Sequence, residues 1–307
     1  MMCKNVEPYL RTYEKIDYFC GYDGTTISYR VYEKENSKGN ILIVHGFSEF
    51  AQKYSEMIYI LLVNNYTVFI PDLRGHGCSH RKLSNGCKVD VEDFHDYIAD
   101  LHVLFVNKIS KSKNNNYIFG HSMGGAIVAR YMEEYPNDFR KAVLSSPMIQ
   151  VNTGKVPLSL AYLIASFEKR LGNGTKYATG EGDFCPYDNF ENSSCKSKNR
   201  YSYIMNMRRS NCKYQTWGAD YNWLYAACKN TFFIRNKKNI QNITRPIIIL
   251  YAEDDNRINI GSIEKFAKMI NATGCFFFEK TRHEIFNGDK EARLRFYHMV
   301  FAFLEGK

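Results

Sequence analysis

The three residue types that together activate a nucleophile fall, in chain order, at Ser122, at the acidic run Glu253-Asp254-Asp255 and at His283. A serine hydroxyl attacks poorly until an imidazole takes its proton, and a carboxylate must hold that imidazole in one tautomer and stabilise its cation. The serine lies in Gly120-His121-Ser122-Met123-Gly124-Gly125, after the apolar run Tyr117-Ile118-Phe119 and before a helical pattern over residues 126–132. This reads as a strand, a sharp turn and a helix, with Gly120 and Gly124 making room for strained backbone that pushes the serine Oγ into the open. His283 is the expected base. Asp255 is the expected orienting acid, and Asp254 is its rival, because moving the strand end by one residue exchanges them. The oxyanion formed on attack needs preorganised donors. Two backbone amides suit it: Met123, directly after the serine, and Phe47, in the His45-Gly46-Phe47-Ser48 loop that follows an early strand.

The elements that must position these residues are legible in the apolar runs. Ile41-Leu42-Ile43-Val44, Thr67-Val68-Phe69-Ile70-Pro71 and residues 246–252 read as strands buried on both faces, with a further strand at 142–147. Helical stretches separate them at about 50–64, 91–109, 262–271 and 289–304, and a short strand stands at 275–278. Alternating strands and helices give a mostly parallel sheet flanked by helices. An antiparallel hairpin precedes it over residues 13–33, where apolar and polar side chains alternate around Gly21-Tyr22-Asp23-Gly24. In such a sheet reactive groups sit just past the carboxyl ends of strands, where Ser122, Asp255 and His283 all fall. The order Ser, Asp, His is that of an α/β-hydrolase. The alternation breaks over residues 148–243, which hold a helix candidate at 156–167, a glycine-rich stretch, a polar region and the aromatic residues Trp217, Tyr221, Trp223 and Tyr225. Residues 1–147 and 244–307 are therefore expected to form one core, and 148–243 a helical cap inserted between two of its strands.

At 307 residues the chain can bury a large core unaided. Its nine cysteines are odd in number, scattered and free of any Cys-x-x-Cys pair, so neither a disulfide framework nor a zinc site is expected. His76 and His80 stand four apart, but the glycines around His76 indicate a loop, and neither metal nor cofactor is expected. No signal-peptide pattern and no run of eighteen apolar residues occur, which points to a reducing cytoplasm. The net charge of +9 is unevenly placed: residues 148–243 carry 14 Lys and Arg against 6 Asp and Glu, and the remainder 27 against 26. No helix-turn-helix, finger or RNA-binding signature accompanies the basic segment, so nucleic acid is not an expected partner. An anionic lipid surface, such as the inner face of the membrane, or a phosphate-bearing substrate is.

Several motifs together carry a family resemblance: His45-Gly46-Phe47, Arg74-Gly75-His76-Gly77-Cys78-Ser79, the serine motif, and His283-Glu284-Ile285-Phe286-Asn287. From about Gly21 to the C-terminus the chain resembles the serine α/β-hydrolases of the monoacylglycerol lipase and bacterial lysophospholipase (lecithinase B) type. Ser197-Lys198-Asn199-Arg200-Tyr201 and Tyr221-Asn222-Trp223 are similar to the lysophospholipase branch. The resemblance implies Ser122 as nucleophile, Asp255 as acid, His283 as base and the Phe47 and Met123 amides as oxyanion hole. It implies hydrolysis of a lysophospholipid or monoacylglycerol ester through an acyl-enzyme, with a general carboxylesterase or capped aminopeptidase as the alternative. A silent hydrolase-fold binding protein is disfavoured because every member of the triad is present. The chain departs from the pattern at Ser48 and Phe50, at Trp217-Gly218-Ala219-Asp220 where Gly-Gly-Pro-Thr is typical, and at Gly288; none of these touches the chemistry.

Overall fold

The computed structural model describes residues 1–187 and 189–307. In chain order its elements are α1 (Glu7–Arg11), β1 (Glu14–Cys20), β2 (Thr26–Tyr32), β3 (Asn40–Val44), α2 (Ser55–Val63), β4 (Thr67–Pro71) and β5 (Lys88–Val89). Next come α3 (His95–Leu104), β6 (Asn116–His121), α4 (Met123–Glu134) and β7 (Lys141–Ser145). The stretch that breaks the alternation holds α5 (Leu158–Arg170), α6 (Lys198–Ser210), β8 (Gly218–Ala219), α7 (Tyr221–Ile234) and α8 (Lys237–Ile240). The chain closes with β9 (Ile247–Asp254), α9 (Ile260–Met269), β10 (Gly274–Arg282) and α10 (Lys290–Glu305).

Eight strands form one sheet in the order β1-β2-β4-β3-β6-β7-β9-β10. The β1–β2 and β2–β4 pairs are antiparallel, and the other pairings run parallel. Every residue of β3 and β4 is buried, as expected of strands covered on both faces. One core lies between the sheet and α3, α4, α7 and α9; the other lies on the opposite face, under α2, α10 and the N-terminal segment. Parallel pairing puts the carboxyl ends of β3, β6, β7, β9 and β10 along one rim. The small second sheet, β5 with β8, ties residues 88–89 to residues 218–219.

Three sequence readings change in detail. The helix expected from residue 91 begins at His95, because the Asp93 carboxylate accepts the His95 amide at 2.9 Å and starts the helix there. Residues 198–210 form α6, whose polar sequence buries only Ile204, Met205 and Arg208 and so shows little apolar periodicity. The last strand runs past Phe278 to Arg282 with a register irregularity, at which Lys280 adopts φ +52°. The apolar helix expected at 156–167 is present as α5, but it buries Ala161 and Ala165 and leaves Leu160, Leu163, Ile164 and Phe167 exposed.

Candidate active site

Ser122 occupies the turn between β6 and α4 at φ +54° and ψ −118°, a region non-glycine residues rarely adopt. The strain is held by its surroundings. The Ser122 amide donates to the Ser145 carbonyl at 3.0 Å, and its carbonyl accepts from the amides of Gly125, Ala126 and Met148 at 2.9, 3.2 and 2.9 Å. Gly124 lets the α4 N-terminus press against β3: a Cβ there would lie 2.1 Å from the Val44 carbonyl oxygen. Gly46 lies against the serine itself, where a Cβ would stand 3.1 Å from the Ser122 Cβ.

His283 follows β10, and its Nδ1 lies 2.6 Å from Oδ2 of Asp255, whose side chain is fully buried. Burial alone would raise the Asp255 pKa; the His283 ring and the hydrogen bonds from it and from the Arg257 amide outweigh burial and hold the carboxyl below its usual range. An ionised Asp255 fixes the proton on Nδ1 and leaves Nε2 as the nitrogen free to exchange one. The His283 ring packs 4.7 Å from that of His121, the residue before the serine. Asp254 ends β9 exposed, its Cα in register with Arg282. The structure thus brings Asp255, rather than Asp254, to His283.

Phe47 and Met123 follow β3 and Ser122 respectively. Among the described residues neither backbone amide donates to a protein acceptor, as befits a helix N-terminus and an open loop facing a ligand. The loop carrying Phe47 is pinned from three sides. His45 donates from Nδ1 to the Gly46 carbonyl at 2.8 Å and accepts the Leu73 amide on Nε2 at 2.9 Å. His76 accepts the Ser48 amide at 3.3 Å. Burial lowers the pKa of both rings, that of His76 strongly, so they act as neutral hydrogen-bonding groups. From α6, Arg208 donates to the Ser48 carbonyl at 2.6 Å, and burial lowers its guanidinium to about 10. The Phe47 ring packs 4.5 Å from Trp223 of α7.

Glu49, Lys53, Glu284 and His121 form a buried polar cluster behind these groups that sequence reasoning missed. The i,i+4 spacing of Glu49 and Lys53 hints at a pair, but their link to Glu284 crosses 231 residues and leaves no local trace. His76, whose spacing from His80 invited a metal reading, lies in a buried loop, whereas His80 is exposed. Among the described residues no group of three or more His, Cys, Asp or Glu side chains is arranged to hold a metal ion.

With this geometry in hand, likeness to known proteins is informative. A probable lysophospholipase L2 of Haemophilus influenzae is 28% identical over 272 residues, 87% of this chain and 85% of that protein. Human monoglyceride lipase is 31% identical over 143 residues, 46% of this chain and 45% of that one. A solved soluble variant of the Saccharomyces cerevisiae monoglyceride lipase superposes with a TM-score of 0.76 at 20% identity, covering 95% of this chain and 94% of that one. The shared architecture is the α/β-hydrolase fold. The family model described as serine aminopeptidase, S33 matches residues 35–291, a span that contains the serine turn, the buried Asp–His pair and the pinned loop. The chain belongs to that family of hydrolases.

Proposed function

We propose that the protein is a serine hydrolase that cleaves carboxylic esters of single-chain lipids, a lysophospholipid or a monoacylglycerol, through an acyl-enzyme on Ser122. The observation that carries it is the strained Ser122 turn beside a His283–Asp255 pair 2.6 Å apart, with two idle backbone amides at Phe47 and Met123. His283 Nε2 takes the Ser122 Oγ proton as Oγ adds to the ester carbonyl, and the oxyanion is met by the two amides. The imidazolium then protonates the leaving glycerol oxygen. Water, deprotonated by the same ring, adds to the acyl-enzyme; collapse frees the fatty acid and returns the proton to Ser122. Asp255 keeps the ring oriented and balances its charge.

The relatives' names favour lipid substrates, and the chain adds its own support. Residues 148–243 act as the cap in this reading, setting α5, α6 and α7 over the rim where the reactive groups lie. The α5 face bearing Leu160, Leu163, Ile164 and Phe167 is exposed, with Leu171 continuing it, and Lys155 and Arg170 stand exposed at its two ends. An apolar stripe with basic flanks suits peripheral contact with an anionic membrane. Among the described residues no helix is long and apolar enough to cross one. The deciding experiment is a matched panel of lysophosphatidylcholine, lysophosphatidylethanolamine, monoacylglycerol, short p-nitrophenyl esters and an aminoacyl p-nitroanilide, run with the wild type and Ser122→Ala. Turnover of a single-chain lipid that vanishes in the variant is expected; cleavage of the anilide alone would move the assignment to an aminopeptidase.

A further inference from the structure

The cluster behind the site joins its two loops through one buried ammonium. Glu49 lies two residues past Phe47, and Glu284 directly follows His283. Lys53 Nζ stands between them, 2.5 Å from Glu49 Oε1 and 2.7 Å from Glu284 Oε1, with all three side chains no more than 7% exposed. The second oxygens are also satisfied. Glu49 Oε2 accepts from the Gly46 amide at 2.7 Å and the Tyr54 hydroxyl at 2.6 Å, and Glu284 Oε2 accepts from Asn287 Nδ2 at 2.8 Å. Burial alone would raise both carboxyls and lower the amine; their mutual attraction wins, holding both carboxyls below and Lys53 above their usual ranges. The trio is therefore ionised, two negative charges against one positive. Replacing buried ion pairs by apolar side chains of the same volume is often neutral or stabilising, so three buried charges are weak evidence of a stabilising role.

We propose that Lys53 is a positioning residue that locks the loop bearing Phe47 to the loop bearing His283. The inference rests on the roles given above to Ser122 and His283. The path to the base is short: Glu49 Oε1 lies 3.8 Å from His121 Nε2, and the His121 ring packs on His283. Burial lowers His121 to about 4, so it stays neutral. Asp255 faces His283 directly.

The test is the separate measurement of kcat and KM on a soluble p-nitrophenyl ester. Lys53→Met leaves two uncompensated carboxylates and should lower kcat about 10–100-fold with KM little changed. Lys53→Arg should restore most of kcat. Glu284→Gln, which weakens one end of the bridge, should lower kcat in the same way with KM little changed. Circular dichroism and urea unfolding establish that each variant is folded; should Lys53→Met not fold, Glu284→Gln decides alone. Wild-type kcat in a folded Lys53→Met or a folded Glu284→Gln overturns the proposal. Turnover persisting in Ser122→Ala would instead sink the reading beneath it.

Discussion

Asn in place of Asp255 keeps the size of the side chain and one acceptor oxygen, yet removes the charge that fixes the His283 tautomer. The expected loss in kcat for Asp255→Asn is about 10⁴-fold. Asp254→Asn should leave kcat close to wild type and stability within about 0.5 kcal/mol, since Asp254 is exposed. Assaying the two variants separately checks the assignment, and a severe loss in Asp254→Asn alone would reverse it. Gly124 offers a second test at this scale. A Cβ there would lie 2.1 and 2.5 Å from the Val44 and His45 carbonyl oxygens, so Gly124→Ala must shift α4 or β3. A destabilisation of about 1–3 kcal/mol by urea unfolding is expected, together with loss of turnover as the Met123 amide moves.

Among the elements, the β5–β8 pair has a titratable joint. The Asp220 carboxylate begins α7 by accepting the Trp223 amide at 2.8 Å, and among the described residues its other oxygen is buried without a donor. Burial, with Asp90 close by, raises Asp220 to about 8 despite that amide. Asp90 in turn accepts from Asn222 at 2.9 Å, and Lys82, Lys88 and the Tyr97 hydroxyl are ionisable groups nearby. A carboxyl whose pKa is higher folded than unfolded binds more protons in the folded state between the two values, so stability falls as pH rises through that window. The Asp220 contribution to unfolding free energy should decline from about pH 4 to about pH 8, with a slope of up to about 1.4 kcal/mol per pH unit, against the opposite contribution below about pH 6.5 of the buried neutral His45, His76 and His121. Asp220→Asn should flatten that decline while keeping the helix cap. Urea titrations at several pH values check it; an equal slope in the variant would locate the dependence elsewhere. Because Trp223 packs on Phe47, the joint also touches the loop at the serine.

For the whole molecule, the basic charge of residues 148–243 divides into two uses. Arg208 is buried against the Ser48 carbonyl, Arg200 pairs with Glu56 at 2.7 Å, and the exposed Lys229 pairs with Asp93 at 2.6 Å, so these cations are met by partners within the protein. What faces outward on α5 is chiefly apolar, with Lys155 and Arg170 exposed at its ends. Binding to anionic vesicles should therefore weaken only partly when added salt shortens the Debye length from about 10 Å toward 3 Å. Leu163→Glu with Phe167→Glu should abolish vesicle sedimentation and lower turnover of aggregated lipid, yet spare a short soluble ester. Unchanged sedimentation in that variant would remove α5 as the docking face.

The sequence alone determined the strand-and-helix rhythm, the serine turn and the three strand-end positions. Each rests on local chemistry: buried parallel strands read as continuous apolar runs, and the turn needs small residues at Gly120 and Gly124. It left Asp254 and Asp255 open, because two adjacent residues after a strand differ only in which way they point, and only the packed β9–β10 rim selects one for His283. It held no trace of the Lys53–Glu284 link or of Arg208 on the Ser48 carbonyl, since both join residues far apart in the chain. It also gave the aromatic and basic residues of the inserted segment without saying which of them are buried. Tertiary structure sorted them, burying Trp223 and Arg208 while leaving Phe167 in solvent, because which side of a helix is covered depends on what packs against it and not on its composition.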